Sequence, residues 1–277
     1  MGSKTLLWLV CGLCLCLSLA AQAQELKIIV PAYFYPGGAG ARDWQRLNAA
    51  AQKVPLWVII NPASGPGRQT DPVSSAAYKA LRAAHGKTLA YVDTSYAKRP
   101  LDRVLKDIDQ WLALYPGQAD GFFVDQITYD DDPAHLDYLA RVYRYIKSKD
   151  RKFVVMGNPG TNTREAYLKR PVCDAIMTFE NFAAEYPRYQ PDAWAARYRP
   201  DRFAHILHSA PPSEQALRQA LKTMQERRAG WVFITDAVYT REHPNPYNRL
   251  PGYWEQEVKA VQKLASPQDT TRREKTE

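Results

Sequence analysis

Ala119-Asp-Gly-Phe-Phe-Val-Asp-Gln126 is the stretch on which the fold turns. Gly121-Phe-Phe-Val124 is a short apolar run bounded by turn-forming residues, the pattern of a strand buried on both faces, and it stops at a carboxylate, Asp125. A charge where a buried strand ends is costly unless it faces a polar cleft. The same event recurs further along the chain, where Asp174-Ala-Ile-Met-Thr-Phe-Glu180 runs into Glu180. Two strand ends that each deliver a carboxylate to one rim point to paired acid/base chemistry.

Working outward, apolar runs of this kind occupy 27–33, 56–61, 88–91, 121–125, 153–157, 175–180, 203–207 and 231–235. Their starts recur at intervals of roughly 25 to 35 residues, which suits one βα unit each. Between them, apolar residues at three- and four-residue spacing predict helices over 101–115, 135–149, 213–228 and 254–264. Asp71-Pro72 and Asp132-Pro133 read as helix starts, the acid capping and the proline in the first turn. Eight strand–helix alternations predict a single-domain α/β fold, a (β/α)8 TIM barrel. An open doubly wound sheet is the alternative, but it wants a glycine-rich phosphate loop after the first strand, and Pro36-Gly-Gly-Ala-Gly40 does not match that fingerprint.

The ends of the chain are of a different character. Lys4, an apolar core over 6–19 and the small residues Ala21-Gln-Ala23 predict a signal peptide over 1–23, leaving a barrel over 24–265 and a disordered polar tail over 266–277. The apolar core falls short of the ~20 residues a membrane span needs. The expected location is therefore secreted or periplasmic, with no stable membrane insertion after cleavage. Cys11, Cys14 and Cys16 leave with the signal, so Cys173 stands alone and no intramolecular disulfide is expected. No grouping of Cys, His and acids has zinc-ligand spacing, and no cofactor is implied. The net charge is +8, yet Lys and Arg are scattered apart from Arg227-Arg228 and the tail. Without a basic stripe interleaved with aromatics, no nucleic acid partner is expected.

In such barrels the active site lies at the C-terminal strand ends, so the residues there form the candidate site. In chain order they are Tyr33, Asn61, Tyr91 with Asp93, Asp125 with Gln126, Asn158, Glu180, His208, and Asp236 with Tyr239. Acids, amides and aromatics on one rim suit a sugar, whose C–H faces stack on rings while its hydroxyls meet polar groups. Plainer roles compete: Asn61 and Asn158 precede prolines and can begin loops, and Asp93 and Asp236 can cap helices. His208 can satisfy backbone groups, and Tyr33 and Tyr91 can pack the rim. Asp125 and Glu180 are the catalytic candidates, because each ends an apolar strand with no nearby cation in sequence. Period-two alternation puts Phe123 with Asp125 and Thr178 with Glu180, and turns Gln126 away unless the chain bends there.

Several of these segments, taken in order, resemble the spherulin-4-like family, which includes secreted barrel enzymes of glycoside hydrolase family 135. The likeness is carried by Ile29-Val-Pro-Ala-Tyr-Phe-Tyr-Pro36, Pro55-Leu-Trp-Val-Ile-Ile-Asn-Pro62, Gly86-Lys-Thr-Leu-Ala-Tyr-Val-Asp93, Gly121-Phe-Phe-Val-Asp125, Gly157-Asn-Pro-Gly160, Thr178-Phe-Glu-Asn181 and Phe233-Ile-Thr-Asp-Ala-Val-Tyr239. It implies cleavage of an α-1,4-galactosamine-containing exopolysaccharide, with Asp125 on the family's strand-four aspartate and Glu180 on its strand-six glutamate. Members of the family typically carry an Asp-Glu pair on strand four; here the pair reads Asp125-Gln126. An amide keeps the shape of the acid but exchanges no catalytic proton. Two functions follow as expectations. One is a hydrolase using Asp125 and Glu180, with Gln126, Tyr33, Asn61, Tyr91, Asp93, Asn158, His208, Asp236 and Tyr239 binding the polysaccharide. The other is a glycan-binding barrel that lost turnover through Gln126.

Overall fold

The computed structural model describes residues 25–265; the expected signal peptide and tail lie outside the described residues. Eight parallel strands close into a barrel: β1 (Lys27–Ala32), β2 (Leu56–Ile60), β3 (Lys87–Asp93), β4 (Gly121–Asp125), β5 (Val154–Asn158), β6 (Ala175–Phe182), β7 (Phe203–His208) and β8 (Trp231–Ile234). Each pairs with its sequence neighbours, and β8 returns to β1 through Lys27–Trp231 and Ile28–Val232. The strands read as near-continuous Val, Ile and Phe runs because helices and loops cover the outer face while side chains fill the interior. At the N-terminal mouth Trp57 and Trp231 stack with centroids 3.7 Å apart, and the Lys27 ammonium stands 5.3 Å over the Trp231 ring.

The outer layer contains α1 (Ala41–Ala51), α2 (Pro72–Ala83), α3 (Leu101–Leu114), α4 (Pro133–Lys149), α5 (Ala166–Lys169), α6 (Glu214–Glu226) and α7 (Trp254–Ala265). Asp71 accepts the Ser74 N–H at 2.8 Å and Asp132 the Ala134 N–H at 2.8 Å, so each aspartate caps a helix opened by proline. Cys173 is buried, its thiol 3.5 Å from the Tyr167 carbonyl, and burial pushes its pKa up. Glu257 on α7 is fully buried; its Oε1 accepts the Ile234 N–H at 2.9 Å, and desolvation raises its pKa well above the ordinary carboxyl value. Among the described residues no helix is long and apolar enough to cross a membrane.

Two departures from regular alternation bear on the site. The fifth connection carries only the single turn α5, and the sixth carries no α-helix but three 3-10 turns, Ala183–Arg188, Ala193–Arg197 and Pro200–Arg202. Pro187, Pro191 and Pro200 fall in this segment, and each removes a backbone donor that a longer helix would require. The second departure is a β-bulge. The β6–β7 register runs Met177–Ala204 and then Phe179–His205, so Thr178 is an extra residue in β6. The expected pairing of Thr178 and Glu180 on one face is therefore corrected. Thr178 Oγ1 lies 3.0 Å from His205 Nε2, under the outer ring layer of Phe179, Tyr186 and Tyr189. The bulge resets the alternation and turns Glu180 into the barrel mouth.

Candidate active site

Asp93, Asp125 and Asn158 end β3, β4 and β5 in register, side by side at one level of the barrel. Asn158 is the hub. Its Nδ2 donates to Asp125 Oδ1 at 2.7 Å and to Glu180 Oε2 at 2.6 Å, and its Oδ1 accepts the Gly160 N–H at 2.9 Å. The backbone bond fixes the amide orientation, so the NH2 end faces the two acids. One nitrogen reaching both carboxylates sets their nearest oxygens no more than about 5.3 Å apart.

The remaining oxygens are held by tyrosines. The Tyr91 hydroxyl donates to Asp125 Oδ2 at 2.8 Å, and the Tyr247 hydroxyl donates to Glu180 Oε1 at 2.6 Å. Tyr33 stands between these tyrosines, its ring edge-on to Tyr91 at 6.0 Å and to Tyr247 at 5.8 Å. Burial, and then the charges of Asp125 and Glu180, hold the pKa of the Tyr33 hydroxyl well above the ordinary tyrosine value. A cleft of about 490 Å³ opens beside this network, walled by Tyr33, Asn61, Tyr91, Asn245 and Tyr247.

Electrostatics separate the two acids. Burial raises the pKa of Asp125, opposed by bonds from Tyr91, the Gln126 backbone N–H and Asn158. Burial and then the Asp125 charge push Glu180 up to about 7, opposed by Tyr247 and Asn158. Two carboxylates this close do not both ionise freely. Asp125 has three donors and Glu180 two, so Glu180 is the more readily protonated of the pair.

The other residues singled out in the sequence fall around this network. Asn61 Oδ1 accepts the Gly65 N–H at 2.8 Å, which shapes the cleft wall. The Asp93 carboxylate accepts from Ser95 N at 2.8 Å and Ser95 Oγ at 3.0 Å. It thereby closes a turn in which Ser95, Tyr96 and Ala97 have φ of 46°, 56° and 62°. That left-handed stretch braces the end of β4, with Tyr96 N–H donating to the Gln126 carbonyl at 2.6 Å. Gln126 has φ 50° and an exposed side chain at the rim, so the chain does bend there. Asp236 accepts from Arg249 Nη1 at 2.8 Å and Gly252 N at 3.3 Å, which fastens the segment after β8. His208 and Tyr239 gather with Phe182 at the tops of β6 and β7, outside the hydrogen-bonded network of the acids. Among the described residues no group of three or more His, Cys, Asp and Glu side chains converges as metal ligands do.

Tyr247 and Phe182 escaped the sequence reading. Tyr247 lies in the segment 235–253, which has neither helix nor strand. Loops that long inside a compact domain are usually functional, and that was the available signal. Asn245 positions Tyr247 by accepting its N–H at 2.9 Å while donating to the Tyr33 carbonyl at 3.3 Å.

Comparison with known proteins agrees with this architecture. The profile of "Spherulation-specific family 4" matches residues 27–261. Spherulin-4 of Physarum polycephalum is 32% identical over 255 residues, covering 88% of this chain and 73% of the relative. The crystal structure of Aspergillus clavatus Sph3 in complex with GalNAc superposes with a TM-score of 0.75 at 24% identity, over 87% of this chain and 99% of Sph3. The GH18 chitinase ChiB of Flavobacterium johnsoniae shares the barrel at a TM-score of 0.51 and 11% identity, over 87% of this chain and 95% of the chitinase. With strand order, motif order and profile in agreement over nearly the whole described chain, the protein belongs to the spherulation-specific family 4, the family of spherulin-4.

Proposed function

We propose that the protein is a secreted glycoside hydrolase that cleaves an α-1,4-linked galactosamine/N-acetylgalactosamine exopolysaccharide at Asp125 and Glu180. The observation that carries this reading is the pair of carboxylates bridged by Asn158, with nearest oxygens no more than about 5.3 Å apart. That bound falls short of the roughly 6.5–9.5 Å gap of inverting glycosidases and favours the closer spacing of retaining ones, in which one acid attacks the sugar and the other manages the proton. Glu180, the protonated partner, donates to the glycosidic oxygen as the bond to C1 breaks. Asp125, the ionised partner, attacks C1 or steadies the positive charge there. Glu180 then takes a proton from the water that releases the sugar. GalNAc bound to Sph3 supports an amino sugar, and the net charge of +8 disfavours a deacetylated, cationic polymer. Secretion rests on the N-terminal sequence alone.

The test is release of soluble oligosaccharide from α-1,4-linked galactosamine/N-acetylgalactosamine polymer by the purified mature chain, beside Asp125→Ala. Release by the natural chain and not by the variant is expected. The exposed amide Gln126, where the family carries an acid, favours a second reading: a glycan-binding barrel without turnover. Binding without release, and a gain of release in Gln126→Glu, would establish that reading instead.

A further inference from the structure

β6 runs two residues past Glu180 and ends at Phe182. Residues two apart on a strand share a face, so Phe182 stands on the mouth side above Glu180, about 7 Å further out at ~3.3 Å per residue. The β7 register pairs Phe182 with His208, and their rings meet at 4.4 Å and 65°. Tyr239, in the segment after β8, completes the group with its ring 5.9 Å from Phe182 and 5.8 Å from His208. The trio is anchored through backbone and hydroxyl: Tyr239 N–H donates to Ser209 Oγ at 3.1 Å, and that oxygen lies 3.1 Å from His208 Nδ1.

This platform is open to water where packing alone would have closed it. Phe182 is 38% exposed, Tyr239 40% and its neighbour Val238 61%. Two exposed rings held edge to face at the barrel mouth offer a surface that a ligand can cover. His208 beneath it is uncharged at neutral pH, since burial lowers its pKa to about 4. The surface thus offers ring faces and a phenol rather than charge, which suits the C–H face of a neutral pyranose.

Resting on the glycan-hydrolase reading above, we propose that Phe182, His208 and Tyr239 form an aromatic subsite that stacks on the sugar ring next to the one held at Asp125 and Glu180. The offset along β6 is comparable to the length of one sugar residue, so neighbouring rings of one polymer reach both places. The subsite makes the protein prefer an oligomer over a single sugar, because only the oligomer occupies the acids and the platform together.

The experiment is calorimetric titration of the natural chain, Phe182→Ala/Tyr239→Ala and Phe182→Tyr with two probes. These are N-acetylgalactosamine and its α-1,4-thio-linked tetrasaccharide, which resists cleavage. The natural chain is expected to prefer the tetrasaccharide. The double alanine variant should lose about tenfold of that preference, the scale of two lost ring contacts, while Phe182→Tyr keeps it. Thermal melting of each variant verifies the fold, and both substituted side chains are exposed. Tetrasaccharide binding with an unchanged preference in the double variant would overturn the subsite and leave the hydrolase reading standing. Failure of the natural chain to bind either probe would overturn both.

Discussion

Asn158 does at one residue what the site requires of several. By donating to both acids from a single nitrogen, it holds them close while their charges oppose each other. Burial and the neighbouring charge of Asp125 raise Glu180 to about 7. On the proposed hydrolase reading the acid form of Glu180 is present below about pH 7, and the rate should fall as pH rises through that value. Tyr247 stabilises the ionised Glu180, so Tyr247→Phe should move this alkaline limb to higher pH. Asp125→Asn removes the charge that raises Glu180 and should shift its carboxyl titration downward, followed by infrared spectroscopy. The pH profile of oligosaccharide release verifies the first, and an unmoved limb would count against the proton assignment. Asp125, Glu180, Asn158, Tyr91 and Tyr33 were legible in the sequence because strand ends in a barrel all reach one rim. Tyr247 was not, because the path of an aperiodic loop is set by Asn245, Asp236 and Asp43, which are scattered along the chain.

At the scale of the element, β6 decides which way the chemistry faces. Simple alternation would have put Thr178 beside Glu180, and it fails because one inserted residue leaves two consecutive side chains, Thr178 and Phe179, on the outer face. A bulge of this sort leaves no trace in hydrophobic pattern, since Met177, Thr178 and Phe179 are all buried whichever face they take. The outer layer stabilises the bulge through a buried chain of bonds from Thr178 to His205 and on to the Tyr186 hydroxyl at 2.7 Å. Thr178→Val keeps the shape and leaves His205 Nε2 without its partner. The expected loss is about 1–3 kcal/mol, read as a lower midpoint in urea unfolding. No change in midpoint would show that the hydrogen bond contributes nothing to holding β6 in place.

For the molecule as a whole, eight returning apolar runs were enough to predict closure, because parallel strands covered on both faces leave few other arrangements. The exceptions were the connections with too many prolines for a long helix. Stability carries its own pH signature through Glu257, whose pKa in the fold is raised well above 4.5 by burial. A group that binds its proton more tightly folded than unfolded contributes most at low pH. Its contribution declines as pH rises from about the unfolded value of 4.5 toward the folded one. Glu257→Gln retains an acceptor for the Ile234 N–H and removes that decline. Its melting temperature should therefore fall less between pH 5 and 8 than that of the natural chain, and parallel curves would argue against a protonated Glu257.

The helix-free sixth connection has a consequence for the chain as a covalent object. Its 3-10 turns present Arg188 and Arg197, with side chains 81% and 60% exposed, while Arg199 precedes proline and resists trypsin. Limited digestion should sever the backbone after Arg188 or Arg197 while β6 and β7 stay laddered together. The nicked protein would run as one particle under native conditions and as two fragments under denaturing ones. That seam divides the barrel into a six-strand piece and a two-strand piece that, expressed separately, should reassemble into one closed barrel.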